Sequence, residues 1–253
     1  MDPASAPPPP RLRSTDPRPH YHGTMSDETT PPDPQDTHRL EQQRREKRDA
    51  IADLGVDPYG SSTADLLALN DARAKFDPKA DEAWNAETMR AKEAGEEANA
   101  ELDTRPRVRI AGRVVLKRGQ GKLIWLQLRD HTTGPTQLFE DPELPTPLTR
   151  KLEPALQIAV TKEAVDATAF AIVKQLDLGD TVVVDGALMK TKTGEVTCWA
   201  SDLKIASKSI TPPPEKWSGL IDIDQRYRKR YVDLHTNPRT MWTMRMRSRL
   251  MAL

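Results

Sequence analysis

The sequence has one cysteine in 253 residues, Cys198, so no disulfide can close within the chain and no zinc knuckle can form. A lone thiol suits a reducing compartment. Aromatic residues make up only 5% and hydrophobic residues 36%, against 30% charged, which leaves core enough for about one compact domain with additions. No apolar run approaches the roughly 18 residues of a membrane helix, and the Pro-rich start has no apolar stretch of a secretory signal. A soluble, cytoplasmic protein without a membrane partner is expected. The histidines, His20, His22, His38, His131 and His235, are scattered. Neither a GxxxxGK[ST] nor a GxGxxG phosphate loop occurs, so no metal site and no catalytic constellation emerges.

Net charge is also lacking, but the zero is a sum of unequal parts. Arg107 to Asp130 holds seven Lys or Arg against one acid, whereas Asp81 to Asp103 holds eight acids against two bases. Residues 1–35 hold 10 of the 22 prolines with few apolar groups to bury, which predicts a disordered tail. Residues 36–104 read as helical. Asp36 or Thr37 caps a basic helix stopped by Gly55, Ser62 or Thr63 caps a second through about Ala74, and Ala80 to Leu102 forms a third that resembles a spacer.

Residues 105–207 are β-rich. From Val108, alternation predicts Val108, Ile110, Gly112, Val114 and Leu116 inward, with Arg109, Arg113 and Lys117 outward. A second strand places Ile124, Leu126 and Leu128 inward and Trp125, Gln127 and Arg129 outward. Thr136 to Phe139 reads as a third strand with Gln137 and Phe139 outward, and Leu156 to Gln175 as a helix. Thr181 to Met189 and Glu195 to Ile205 supply two more strands, the last with Glu195, Thr197 and Trp199 outward.

Three strands, a helix and two strands are the parts of a five-stranded OB-fold barrel, so the expected class is mainly β with helices at both ends. In that fold the face of strands 2 and 3 and the loops 1–2 and 4–5 bind oligonucleotides. Here the face would carry Trp125, Gln127, Gln137 and Phe139. The loops would be Lys117 to Lys122 and Lys190 to Glu195, both basic and both containing glycine. A large aromatic among polar and basic side chains wastes apolar area unless an unpaired base stacks on it. After Ser209, a proline run at Pro212 to Pro214 predicts an extended connector, and Thr240 to Leu253 a Met-rich helix.

The stretches GVDPYG (55–60), IAGR (110–113), KRGQGK (117–122), LDLGD (176–180), KTKTGE (190–195), PPPEKWSGL (212–220) and QRYRKRYVDL (225–234) occur in an order and spacing that resembles the N-terminal half of bacterial class II lysyl-tRNA synthetases. The resemblance covers roughly Arg44 to Leu253. It implies a barrel that reads the anticodon of tRNA(Lys), with Trp125 stacking on the central U, Gln137 bonding the uracil edge, Arg118 beside the first loop and Glu195 in the 4–5 loop. Lys117, Lys122, Phe139 and Lys192 are further candidate contacts. The resemblance makes 208–253 a linker and the start of a catalytic domain cut at motif 1, with motifs 2 and 3 missing. It implies ATP and Mg2+ as cofactors, and a homodimer, only for the complete enzyme. Two alternatives stay open: a stand-alone OB protein that binds tRNA or single strands without catalysis, and a fragment of an aspartyl or asparaginyl synthetase.

Overall fold

A computed structural model describes residues 34–119, 121–133, 154–213, 220 and 222–252. Its centre is a closed barrel of five strands, β1 (Arg107–Arg118), β2 (Leu123–Arg129), β3 (Leu156–Thr161), β4 (Thr181–Lys190) and β5 (Val196–Ser207). Their order around the barrel is β1-β2-β3-β5-β4, antiparallel throughout except for the parallel β3–β5 pair that closes it. The inward residues of all five strands, Ile110, Leu126, Ile158, Val184 and Leu203 among them, are buried in one core.

The third barrel strand is Leu156–Thr161, where the sequence predicts a helix. Leu156 to Val160 are all buried, the outward Gln157 and Ala159 included, so the strand has no solvated side, and its apolar character runs on into the Ala-rich segment that follows. The helix is only α4 (Ala167–Gln175), started by Asp166, whose carboxylate accepts from the Ala169 amide at 2.6 Å. The expected strand at Thr136 to Phe139 lies outside the described residues.

A second correction concerns β1. A bulge between Val114 and Leu116 shifts its register against β2, so Leu116 pairs with Gln127 and Lys117 with the buried Leu126. Beyond the bulge the alternation inverts. Lys117 therefore turns inward, where its ammonium donates to the Lys174 and Leu176 carbonyls at 2.9 and 2.8 Å at the end of α4. Burial, with the nearby Lys47 charge, pulls its pKa down to about 8.

Helices α1 (Pro34–Ala52), α2 (Leu69–Ala74) and α3 (Pro78–Ala94) precede the barrel. Two of the basic residues of α1 work internally. Arg44 donates to the Ser209 carbonyl at 2.9 Å, and Lys47 pairs with Asp177 at 2.5 Å. The GVDPYG turn docks on the end of β5, with the Lys208 amide donating to the Pro58 carbonyl at 2.9 Å. Gly60 has φ +60 there, and a Cβ on it would lie 3.0 Å from the Ala206 backbone. α2 is shorter than the sequence suggests and hangs on Asp130, which accepts from the Leu69 amide at 2.8 Å. α3 ends at Gly95, short of the expected Leu102, which falls in a separate 3-10 turn, Ala100–Leu102. Nor is α3 a mere spacer: the buried Asp81 accepts from the Lys190 amide at 3.1 Å and braces the 4–5 loop.

After the barrel come α5 (Ile223–Arg228), α6 (Arg230–Thr236) and α7 (Pro238–Met251). Asp233 accepts from Arg226 at 2.9 Å and Arg230 at 2.7 Å, which gives the RYRKRYVDL stretch a buried pin. Among the described residues no helix is long and apolar enough to cross a membrane.

Candidate nucleic-acid interface

Register places the outward side chains of β2, β3, β5 and β4 in transverse rows. One row runs Trp125, Ala159, Trp199, Ala187, and the next Gln127, Gln157, Thr197, Met189. Small residues alternate with the two indoles in the first row. Ala159 is only 1% exposed although it lies on the outer side of the barrel, because both indoles flank it. The rings meet edge to face, with centroids 5.9 Å apart and planes at 76°.

On the other side of Trp125 its strand partner is Arg118, at the end of β1. Arg118 is exposed and makes no ion pair among the described residues. In the second row Gln157 is 7% exposed. The amide orientation that satisfies its partners makes its nitrogen a donor to both Glu195 oxygens, Oε1 at 3.2 Å. Glu195 closes the 4–5 loop, accepting at its carbonyl from the Thr191 amide at 2.9 Å. Arg118, Trp125 and Glu195 are thus brought to one side of the barrel. Lys192 is exposed in the 4–5 loop, and Lys122 is an exposed loop residue paired with Glu163 at 3.2 Å. Lys117 is not on this face, because the bulge turns it to α4. Gln137 and Phe139 lie outside the described residues.

A cationic edge, a stacking platform and a carboxylate acceptor within one sheet face suit an unpaired base and its phosphate. Among the described residues no group of three or more His, Cys, Asp or Glu could hold a metal ion. Cys198 points into the core, and burial pushes its thiol up to about 12, away from the range of a reactive thiolate.

Residues 108–206 match the family of OB-fold nucleic acid binding domains named for the tRNA anticodon. Similar proteins include the lysine–tRNA ligases of Listeria welshimeri, at 34% identity over 208 residues, and of Carboxydothermus hydrogenoformans, at 32% over 216. The first match covers 82% of this chain and 34% of the relative, the second 85% and 35%. The lysine–tRNA ligase of Staphylococcus epidermidis is 34% identical over 214 residues, 83% of this chain and 35% of its own. Over the matched residues the chain is homologous to lysine–tRNA ligases. It spans about a third of the length of the curated relatives it matches.

Two residues of this face, Trp199 and Gln157, are absent from the sequence-based set of candidate site residues. Trp199 stands in the outward set of β5 by alternation, but its place beside Trp125 follows only from closing the barrel. Gln157 carried no signal, since its segment reads as helix.

Proposed function

We propose that this chain binds the anticodon arm of tRNA(Lys) on the outer face of β2, β3 and β5, with the 1–2 and 4–5 loops at its margins. The observation that carries the reading is the placement of Arg118, Trp125 and Glu195 on one face of a barrel in a lysine–tRNA ligase homologue. Trp125 stacks on the central U, Arg118 attracts the phosphate or base, and Glu195 accepts from a base edge. Gln137 bonds the uracil edge, and Lys122, Phe139 and Lys192 add contacts. Residues 36–104 and 208–253 flank this module at 105–207 as a helical segment and as the approach to a catalytic domain. On this reading the residues present supply RNA recognition and not lysine activation. ATP, Mg2+ and a homodimer belong to the complete enzyme, in the cytoplasm.

The test is binding of the tRNA(Lys) anticodon stem-loop beside a version with the central U replaced. Affinity should collapse on replacement. Equal affinity for both, or for unrelated single strands, would make the chain a general single-strand binder. ATP–pyrophosphate exchange with lysine should be absent from the purified chain, and measurable exchange would overturn the division of labour.

A further inference from the structure

Trp199 has no role in the interface as proposed, yet its surroundings are unusual. Its indole N–H is buried and meets no acceptor among the described residues, an unfavourable state for a polar group. No hydrogen bond therefore orients the ring. What it does meet is the Trp125 ring, edge to face at 5.9 Å and 76°. The residues on either side of Trp199 in its row are Ala159 and Ala187, whose methyl groups offer nothing tall enough to prop an indole. On its far side Trp125 has Arg118, a cation whose side chain is exposed. Trp199 is the aromatic neighbour that Trp125 meets across Ala159 in the row.

We propose that Trp199 is a positioning residue: by edge-to-face packing it holds the Trp125 indole in the orientation in which one unpaired base stacks on it. The inference rests on the reading of this face as the anticodon-binding surface. Its consequence is that the contribution of Trp199 to binding passes through Trp125, so the two substitutions are not additive.

The experiment uses the full chain and the tRNA(Lys) anticodon stem-loop with a fluorescent uridine analogue at the central anticodon position. Trp199→Leu fills space without a π system, Trp199→Phe keeps the edge-to-face contact, and urea midpoints establish that each variant is folded. Trp199→Leu should weaken binding about 3- to 10-fold and lose most of the stacking change in emission. Trp199→Phe should restore both, and in a Trp125→Ala background Trp199→Leu should have no further effect. An undiminished loss in that background, or wild-type stacking in Trp199→Leu, would overturn the positioning role while leaving the interface intact. Failure of the wild-type chain to bind, or of Trp125→Ala to weaken binding, would remove the interface and this role with it.

Discussion

Lys208 and Asp180 form an ion pair of 2.8 Å in which neither side chain has exposed surface. Lys208 also reaches Asp177 at 2.7 Å and the Gln175 carbonyl at 3.0 Å, while Asp180 accepts from the Ser209 amide at 2.8 Å. Lys47 of α1 completes the set on Asp177. The LDLGD stretch is thus a knot that ties α1, the end of α4 and the exit of β5. Burial opposes ionisation of Asp177, but hydrogen bonds from Lys208 and Lys47 outweigh it and hold its carboxyl below the ordinary value.

Lys208→Met removes the cation and leaves two carboxylates without their buried partner. Breaking such a pair from one side costs about 3–5 kcal/mol, far more than the pair itself contributes. The urea midpoint should fall accordingly, and adding Asp180→Asn should recover part of the loss. A midpoint within about 1 kcal/mol of wild type would mean that water reaches the knot.

Lys117 predicts an alkaline effect. An amine held at about 8 in the folded chain and near 10.4 when unfolded is penalised in its charged form. It subtracts from stability below about pH 8, and the penalty lifts as pH rises towards the unfolded value. Relative to Lys117→Met, the wild-type chain should gain stability between about pH 8 and 10 in urea titrations. A pH-independent difference would show that the ammonium is not desolvated.

Asp233→Ala should loosen α5, α6 and α7 together, because it leaves Arg226 and Arg230 without the carboxylate they share. Limited trypsin digestion should then cut at Arg226 and Arg228 faster than in wild type, with the barrel fragment persisting. Unchanged cleavage would assign the anchoring of these helices to other contacts.

Four of the five barrel strands are legible in the sequence, β1, β2 and β5 by a polar outward set and β4 by its β-branched run after Gly179 and Asp180. β3 is not, since both its faces are buried and the Ala-rich run after Asp166 extends its apolar character into a real helix. The same misreading hid Gln157. The side of the barrel on which Lys117 emerges depends on one extra residue in β1, and nothing in the apolar run Val114 to Leu116 marks which residue bulges. Trp125 and Trp199 are both legible as outward residues, but their meeting is a property of closure. They are 74 positions apart and share a row only through the parallel β3–β5 pair.

Trp125→Ala should weaken anticodon stem-loop binding by roughly 5- to 150-fold, the span of about 1–3 kcal/mol for one stacked base. Stability should change little by comparison, because the ring lies on the outer side of β2. Lys117→Met, by contrast, should leave RNA affinity near wild type, since its ammonium serves α4. A large loss of affinity in Lys117→Met without loss of fold would place the amine at the RNA after all.

Gly186 tests whether the backbone under Trp199 must be where it is. The β4–β5 register shifts between Asp185 and Gly186, and a Cβ at Gly186 would lie 2.3 Å from the Trp199 carbonyl oxygen and 2.7 Å from the Cys198 sulfur. The first of these is a backbone atom, so no rotamer change can relieve the clash and β5 itself must move. Gly186→Ala should cost about 1–3 kcal/mol or more. It should also reduce RNA affinity under conditions where the variant is fully folded, because the displaced segment carries Trp199. Gly95→Ala, at the end of α3, is the control: its Cβ would meet nothing within 4 Å, although its φ of +72 still costs some stability. Equal RNA affinity in the Gly186 variant and the wild type, with the expected loss of stability, would show that the Trp199 backbone can shift without disturbing the face.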